Sequence, residues 1–598
     1  MTSPIFSARL ADLRREMTAD GYDGFLVPMA DEYQSEYVPD CARRVAFLSG
    51  FTGSAGFIIV LKTRAAFFTD SRYTLQAAQQ VDAAIFQIFD SADKPPLAWL
   101  EENAEKDAKI AYDPWLHSAD AVERLKKALA KPGAQAVAAP RNPVDAIWND
   151  RPAEPAEPVR PHDMIYAGQA AADKRQHIAA MLKKKNVAAF IVTDPSSVAW
   201  LLNVRGGDVP NTPLPLSRVI LHDDARADWF VDARKITDGL AAHVGDDVAL
   251  HAPDQFPPAL ASLAKQGKTI ALDPAHASGA IVDYLRAAGG KIEPMDDPCD
   301  LPRACKNAVE IDGMRAAHRR DGAALVKFFS WLDQNWQSGN LTELLVEQKL
   351  ASFREANNNY RGPSFDTIAG AGDHGAIVHY RATRATDARL QPGQMFLLDS
   401  GGQYLDGTTD VTRTVILGAP TPEMRDRFTR VLKGHIALAS IRFPEGTTGA
   451  ELDVLARQNL WAVGLDYGHG TGHGVGAYLG VHEGPQSISR RSRIALQPGM
   501  VVSNEPGFYK AGHYGIRIEN LQTVVESVGM PDGNRKFYEF ETLTLAPIDR
   551  RLIDAAMLTD AELGWLNAYH ARVRDVLRPM IDDSAAIWLE AATVALAR

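Results

Sequence analysis

The sequence predicts an α/β protein in which two copies of one layered plan precede a third, larger region. Three observations predict it. Helical and short apolar strand patterns alternate through residues 1–305, their order repeats once, and the patterning changes after a second proline-containing break. At 598 residues the chain is also too long for one hydrophobic core.

The first copy is assigned to residues 1–160. Its opening helix sets Phe6, Leu10, Leu13 and Met17 on one face and contains no uninterrupted apolar run, so it reads as a docked helix, neither exported nor membrane-spanning. A β-rich run at Phe25–Val27, the apolar stretch GFIIV and the aromatic strand AAFFTDSR follow. The second copy, residues 161–305, repeats them as the helix MLKKKNV, the run Phe190–Val192, the stretch SRVIL and the strand ADWFVDAR. Asp70 and Arg72 thereby correspond to Asp232 and Arg234. The join, NDRPAEPAEPVRP, has prolines at 152, 155, 158 and 161, a density that stops helices and central strands and favours an extended connector.

A second break falls at MDDPCDLPRACKN, and the third region, residues 306–545, opens there. Asn307 and Glu310 have capping-box spacing, and Met314, His318, Leu325, Phe328 and Leu332 mark one face of the long helix that follows. The tail, residues 546–598, is expected to add a helix started by Thr559 and Glu562 and faced by Leu563, Leu566 and Val573.

Composition narrows the function. A formal net charge of −11 without a basic block argues against nucleic acid, and no membrane partner is indicated. The three cysteines, Cys41, Cys299 and Cys305, give no disulfide framework, so a reducing compartment, the cytoplasm, is expected.

The chemistry gathers in the third region. QMFLLDSGGQYLDGTTDVTRTVILG reads as two buried strands joined by a glycine-rich turn, with Asp399 closing the first and Asp410 heading the second. Glu505 follows an apolar run in MVVSNEPGFY, and Glu519 lies in the strand-like YGIRIENLQTVVE. One aspartate at a strand end is usually a cap, but several carboxylates within apolar strands need an answering cation. Arg517 can answer only part of that charge. YGHGTGHGVGAYLGVHEGP supplies His473 in a loop whose glycines permit close backbone approach or positive φ. Four carboxylates with one imidazole form an oxygen-rich donor set that suits two hard or borderline divalent ions, such as manganese, magnesium, cobalt or zinc. His379, in GAIVHYRAT, falls in a strand-like stretch.

Taken together, GPSFDTIAGAGDHGAIVHY, LLDSGGQYLDGTTDVTRT, HGTGHGVGAYLGVHEGP, SNEPGFY and GIRIEN resemble the M24 metallopeptidases, and within them the long, three-domain Xaa-Pro aminopeptidases. The resemblance covers nearly the whole chain. It implies two α/β domains of creatinase N-terminal type, then an α+β catalytic domain of pita-bread metallopeptidase fold. It also implies that Asp399 binds one metal, that His473 and Glu505 bind the other, and that Asp410 and Glu519 bridge them. The implied substrates are peptides with proline in second position, attacked by hydroxide shared between two ions, with manganese first choice and zinc or cobalt as alternatives. Glu505 would carry the proton, His379 and His482 would donate to substrate and oxyanion, His469 would flank the proline side, and Arg72 would reach the peptide. A homodimer is implied as well. Prolidase, which splits Xaa-Pro dipeptides, is the nearest alternative, and three-domain length counts against it.

Overall fold

A computed structural model describes residues 4–528 and 535–598. The chain divides into two compact units, one of Met1–Met164 with Gln169–Cys299 and one of Ile165–Gly168 with Asp300–Arg598.

The first unit contains both copies of the repeated plan. Its first sheet is built from β1 (Gly24–Pro28), β2 (Phe57–Leu61), β3 (Ala65–Thr69), β4 (Gln87–Asp90), β5 (Lys109–Tyr112) and β6 (Gln135–Ala138), in the order β4-β3-β2-β1-β5-β6. Its second uses β7 (Ala189–Val192), β8 (Arg218–His222), β9 (Ala227–Phe230), β10 (Val248–His251), β11 (Thr269–Leu272) and β12 (Lys291–Pro294), in the order β10-β9-β8-β7-β11-β12. Each label is six higher, and each pairing keeps its direction: β1–β2 and β7–β8 are antiparallel, β1–β5 and β7–β11 parallel. The repeat visible as residue patterns is therefore a repeat of topology. The Asp-x-Arg pairs recur in geometry too. Asp70 accepts from the backbone N–H of Arg72 at 3.0 Å and from its guanidinium at 3.0 and 2.7 Å. Asp232 holds Arg234 in the same way at 2.8, 2.9 and 2.6 Å.

In the second unit the helix Ala308–Asn335 starts on the Asn307–Glu310 capping box and buries Met314, His318, Leu325, Phe328 and Leu332. Strands Ile368–Ala371, Met395–Ser400 and Val411–Ile416 form one antiparallel sheet with Met395–Ser400 in the middle. A six-stranded sheet carries Gly472–Gly474, Val501–Asn504 and Asn520–Glu526 among its strands, and a hairpin pairs Gly507–Lys510 with Tyr514–Arg517. The tail helix Asp560–Leu577 begins on the Thr559–Glu562 capping box. Its Leu566, Val573 and Leu577 share a core with Met395, Val431 and Ile516, while Leu563 is only partly buried.

Three local expectations are corrected. The glycine-rich turn after Asp399 is a small hairpin, Gly402–Tyr404 with Gly407–Thr408, which pairs with Tyr360–Pro363. His379 lies in a turn after the short 3-10 helix Gly372–Ala376 rather than in a strand. Glu519 sits in a two-residue break between Tyr514–Arg517 and Asn520–Glu526. The hairpin pairs with a strand far upstream and the Glu519 break is fixed by its N–H on the Thr412 carbonyl, pairings that periodicity does not report.

Arg413 holds this unit together from inside. Its fully buried guanidinium donates to the carbonyls of Thr412, Glu519, Ala546 and Pro547 at 2.6 to 3.0 Å, to Asn520 Oδ1 at 2.7 Å and to Tyr569 Oη at 2.9 Å. The planar fork of arginine serves all of them, and an ammonium group does not. Arg413→Lys should leave several buried carbonyls unpaired and cost about 3 kcal/mol. Thermal unfolding should show a transition lowered by several degrees; an unchanged transition would rule out this bracing role.

Candidate metal centre

Each acidic residue reaches the centre from a different element. Asp399 lies in the middle strand Met395–Ser400, and Asp410 immediately precedes Val411–Ile416. Glu505 follows Val501–Asn504, and Glu519 occupies the break described above. That break is pinned on both sides: Glu519 N–H donates to the Thr412 carbonyl at 3.1 Å, and Thr412 Oγ1 donates to Glu519 Oε2 at 2.7 Å.

His473 lies on the short strand Gly472–Gly474. Neither flanking glycine has positive φ. Close approach is what they serve: a Cβ at Gly472 would lie 2.0 Å from the Ser503 carbonyl oxygen, and one at Gly474 would lie 2.2 Å from that of Glu483. His473 N–H donates to Ser503 Oγ at 2.9 Å, and that hydroxyl donates to Glu505 Oε1 at 3.2 Å. Beneath the loop, buried Arg457 pairs with Asp453 at 2.8 Å and donates to the carbonyls of Tyr467 and His469, both at 2.8 Å.

The ligand atoms of Asp410, His473 and Glu519 lie within 4.8 Å of one another. His473 Nε2 stands 3.4 Å from Asp410 Oδ2 and 3.5 Å from Glu505 Oε1. Its Nδ1–H donates to the Gly474 carbonyl at 2.9 Å, so Nε2 is the nitrogen turned to the acids. Asp399 Oδ2 takes Arg517 Nη2 at 2.6 Å, whereas Asp399 Oδ1 is buried with no hydrogen-bond partner among the described residues. An imidazole nitrogen facing two carboxylates, beside an orphaned buried carboxylate oxygen, calls for positive charge between these atoms. The donor set fits divalent cations.

The electrostatics agree. Burial pushes Asp399 up to about 7, against the pull of Arg517 and with a further push from Asp410. Burial also raises Glu505, opposed by His473 and Arg517, and holds Glu519 well above the usual carboxylate range, with Asp410 and Asp399 adding to it. Burial opposes a charged His473, but Asp410 and Glu505 outweigh it and raise the imidazole to about 9. Without cations, Asp399, Glu505 and Glu519 hold protons more tightly than exposed carboxylates do.

Of the histidines, His482 packs its ring edge-on to His473 at 4.2 Å between centroids. His469 Nδ1 lies 3.9 Å from Glu505 Oε2, and its Nε2 meets Tyr509 Oη at 2.9 Å. His379 is half-buried in its turn. The 3-10 helix before it packs on Met395–Ser400 and Tyr514–Arg517. Arg72 belongs to the first unit, where it is closed on Asp70 with Glu36 at 4.0 Å. Sequence reasoning missed Tyr509, which accepts from Arg517 Nη1 at 2.7 Å and so links Asp399, Arg517 and His469 in one chain. Tyr509 and Arg517 lie on opposite arms of one hairpin, near Glu505 and Glu519, a contact that becomes visible only once the arms are paired.

Residues 312–526 match metallopeptidase family M24, and residues 536–596 match the C-terminal region of that peptidase. Residues 9–144 and 150–310 each match the creatinase/prolidase N-terminal domain. Aminopeptidase P2 of Arabidopsis thaliana is 39% identical, over 98% of this chain and 87% of the relative. A probable Xaa-Pro aminopeptidase P of Coccidioides posadasii is 40% identical over 98% and 99%. Among solved structures, the X-prolyl aminopeptidase of Caenorhabditis elegans, a cytosolic enzyme with a di-nuclear active site, superposes with a TM-score of 0.95 at 36% identity, covering 99% of this chain and 100% of that one. The Xaa-Pro dipeptidase of Bacillus anthracis shares the fold over 63% of this chain and 99% of its own, at a TM-score of 0.51 and 24% identity.

Cation loading should expel protons. The raised carboxyls of Asp399, Glu505 and Glu519 must ionise before they bind a divalent ion, so affinity is present above their titration and falls as pH drops through about 7, the value for Asp399. Calorimetry with Mn2+ in buffers of different ionisation enthalpy should detect released protons, and binding independent of pH between 5 and 8 would contradict this electrostatic account. The chain belongs to metallopeptidase family M24, among its full-length relatives of Xaa-Pro aminopeptidase type.

Proposed function

We propose that this chain is a two-metal aminopeptidase that releases the N-terminal residue from peptides with proline in second position. The observation that carries the reading is the facing of His473 Nε2, Asp410 and Glu505 at 3.4 and 3.5 Å beside the unpartnered Asp399 Oδ1, in a chain matched end to end by Xaa-Pro aminopeptidases.

Asp399, Asp410, His473, Glu505 and Glu519 would hold the ions. When bound, two divalent ions acidify water and polarise a carbonyl. The oxygen-rich donors suit Mn2+ first, with Zn2+ and Co2+ as comparisons. Glu505 takes the proton of the attacking water and delivers it to the leaving prolyl nitrogen. Burial raises its affinity for a proton, which favours that exchange. Ser503, donating to Glu505 Oε1, keeps that carboxylate oriented. His482, beside His473, and His379 are assigned to the substrate and to the charge that develops on its carbonyl oxygen. His469 is assigned to the proline side, held by Tyr509. A bond before proline has no N–H, so selection for it is steric.

Arg72 is proposed to reach peptide substrate in a homodimer, and cytoplasmic residence is proposed with it. The cysteines support a reducing compartment, since Cys41, Cys299 and Cys305 are all unbridged. Among the described residues no helix is long and apolar enough to cross a membrane. The division into residues 1–160, 161–305, 306–545 and 546–598 belongs to the same proposal, and the four matched segments support it.

Two measurements test the reading. Glu505→Gln, of nearly equal size, should lower turnover at least about a hundredfold while circular dichroism stays unchanged; full activity would remove Glu505 from its role. Arg-Pro-Pro assayed beside Gly-Pro separates aminopeptidase from dipeptidase. Release of arginine from the tripeptide is the expected result, and cleavage of the dipeptide alone would replace the assignment with prolidase.

A further inference from the structure

The helix Glu343–Glu355 of the second unit opens on a glutamate with no exposure to solvent. An acid in the first turn of a helix ordinarily stands in water, where it complements the helix dipole. Glu343 is turned inward instead. Its carboxylate accepts four hydrogen bonds, and all four come from one stretch of chain. Oε1 takes the Ala371 N–H at 2.9 Å and His374 Nδ1–H at 2.8 Å, while Oε2 takes the Tyr380 hydroxyl at 2.9 Å and the Ala388 N–H at 3.0 Å. The N–H of Glu343 itself donates to the Ala388 carbonyl at 3.0 Å.

Two of the four donors precede His379 and two follow it, Tyr380 being its neighbour. None of these bonds goes to a candidate metal ligand. Between the 3-10 helix Gly372–Ala376 and the strand Met395–Ser400 the chain forms no helix or strand, so no ladder of backbone bonds fixes the turn that carries His379.

Apolar packing supplies part of the support. Ile377 and Tyr380 share a small core with Leu397, two residues before Asp399, and Tyr509 packs against that core. Tyr380 also stacks on His374 with ring centres 4.4 Å apart. Such contacts are non-directional, whereas four hydrogen bonds on two oxygens set both distance and angle. The bond to Glu343 also raises the His374 imidazole above its ordinary value, outweighing burial, as a charge-assisted pair does.

We propose that Glu343 is a positioning residue for the peptidase reaction: by gathering both flanks of the His379 turn on one carboxylate, it sets the place from which His379 serves the substrate. The inference rests on the assignment of His379 to the substrate. It adds an acid that acts on the reaction only through that histidine.

Glu343→Gln keeps the size and one oxygen but sets an amide NH2 against two donors, so one flank of the turn loses its acceptor. Hydrolysis of Arg-Pro-Pro by the folded, metal-loaded variant should show kcat reduced at least about tenfold, with KM changed less than kcat. Calorimetric affinity for Mn2+ should stay within about twofold of wild type, and a larger fall would overturn the proposal by showing action through the metal centre. The deciding comparison is the double variant. On a His379→Ala background, Glu343→Gln should cost no more than about twofold, because nothing is left to position. A full tenfold loss there, or an unchanged kcat in Glu343→Gln alone, would reduce Glu343 to a structural acid. If Glu343→Gln does not fold, Tyr380→Phe, which removes one donor and keeps the ring, must give a loss in kcat that vanishes on the His379→Ala background. An inactive wild type, or a His379→Ala protein as active as wild type, would show the reading of the site to be wrong before Glu343 is altered, and would overturn the positioning role with it.

Discussion

Mutual repulsion among buried carboxylates is the constraint on which the second unit turns. Burial raises the carboxyls of Asp399, Glu505 and Glu519, and the charge of Asp410 adds to the push on each. Arg517 cancels part of one charge through Asp399. The remainder must be met by protons or by cations, because ionised carboxylates this close and this dry are unstable together. A protein that keeps such a group folded has elements elsewhere that hold the acids in place, and these elements are visible.

Three buried arginines do that holding. Arg517 ties Asp399 to Tyr509 and, through it, to His469. Arg457, paired with Asp453, fixes the carbonyls that precede the His473 strand. Arg413 binds the Glu519 break to the start of the C-terminal tail. In each case the guanidinium spends its donors on several acceptors at once, which explains arginine rather than lysine at sites away from solvent. The result is preorganisation: the acids cannot relax apart to relieve their repulsion, so the space between them stays suited to doubly charged ions.

Much of this was legible in the sequence, for identifiable reasons. The four acidic candidates stood out because carboxylates at apolar strand patterns are conspicuous, His473 because of its glycine-rich loop, and the capping boxes at Asn307 and Thr559 were readable because their chemistry is local. The repeated plan survived as element order and proved to be identical strand order. What escaped was non-local. The hairpin inserted after Asp399 and the break at Glu519 each depend on partners distant in the chain. Tyr509 escaped because a tyrosine in a strand reads as packing until the partner of its hydroxyl is known.

The most direct test of the account is a crystal structure grown with abundant Mn2+ and measured at the manganese absorption edge. Two anomalous peaks, both in contact with Asp410 and Glu519, one also touching Asp399 and the other His473 and Glu505, are the predicted result. A single peak, or none, with the acidic side chains spread apart would contradict the claim that paired cations answer this cluster of charge.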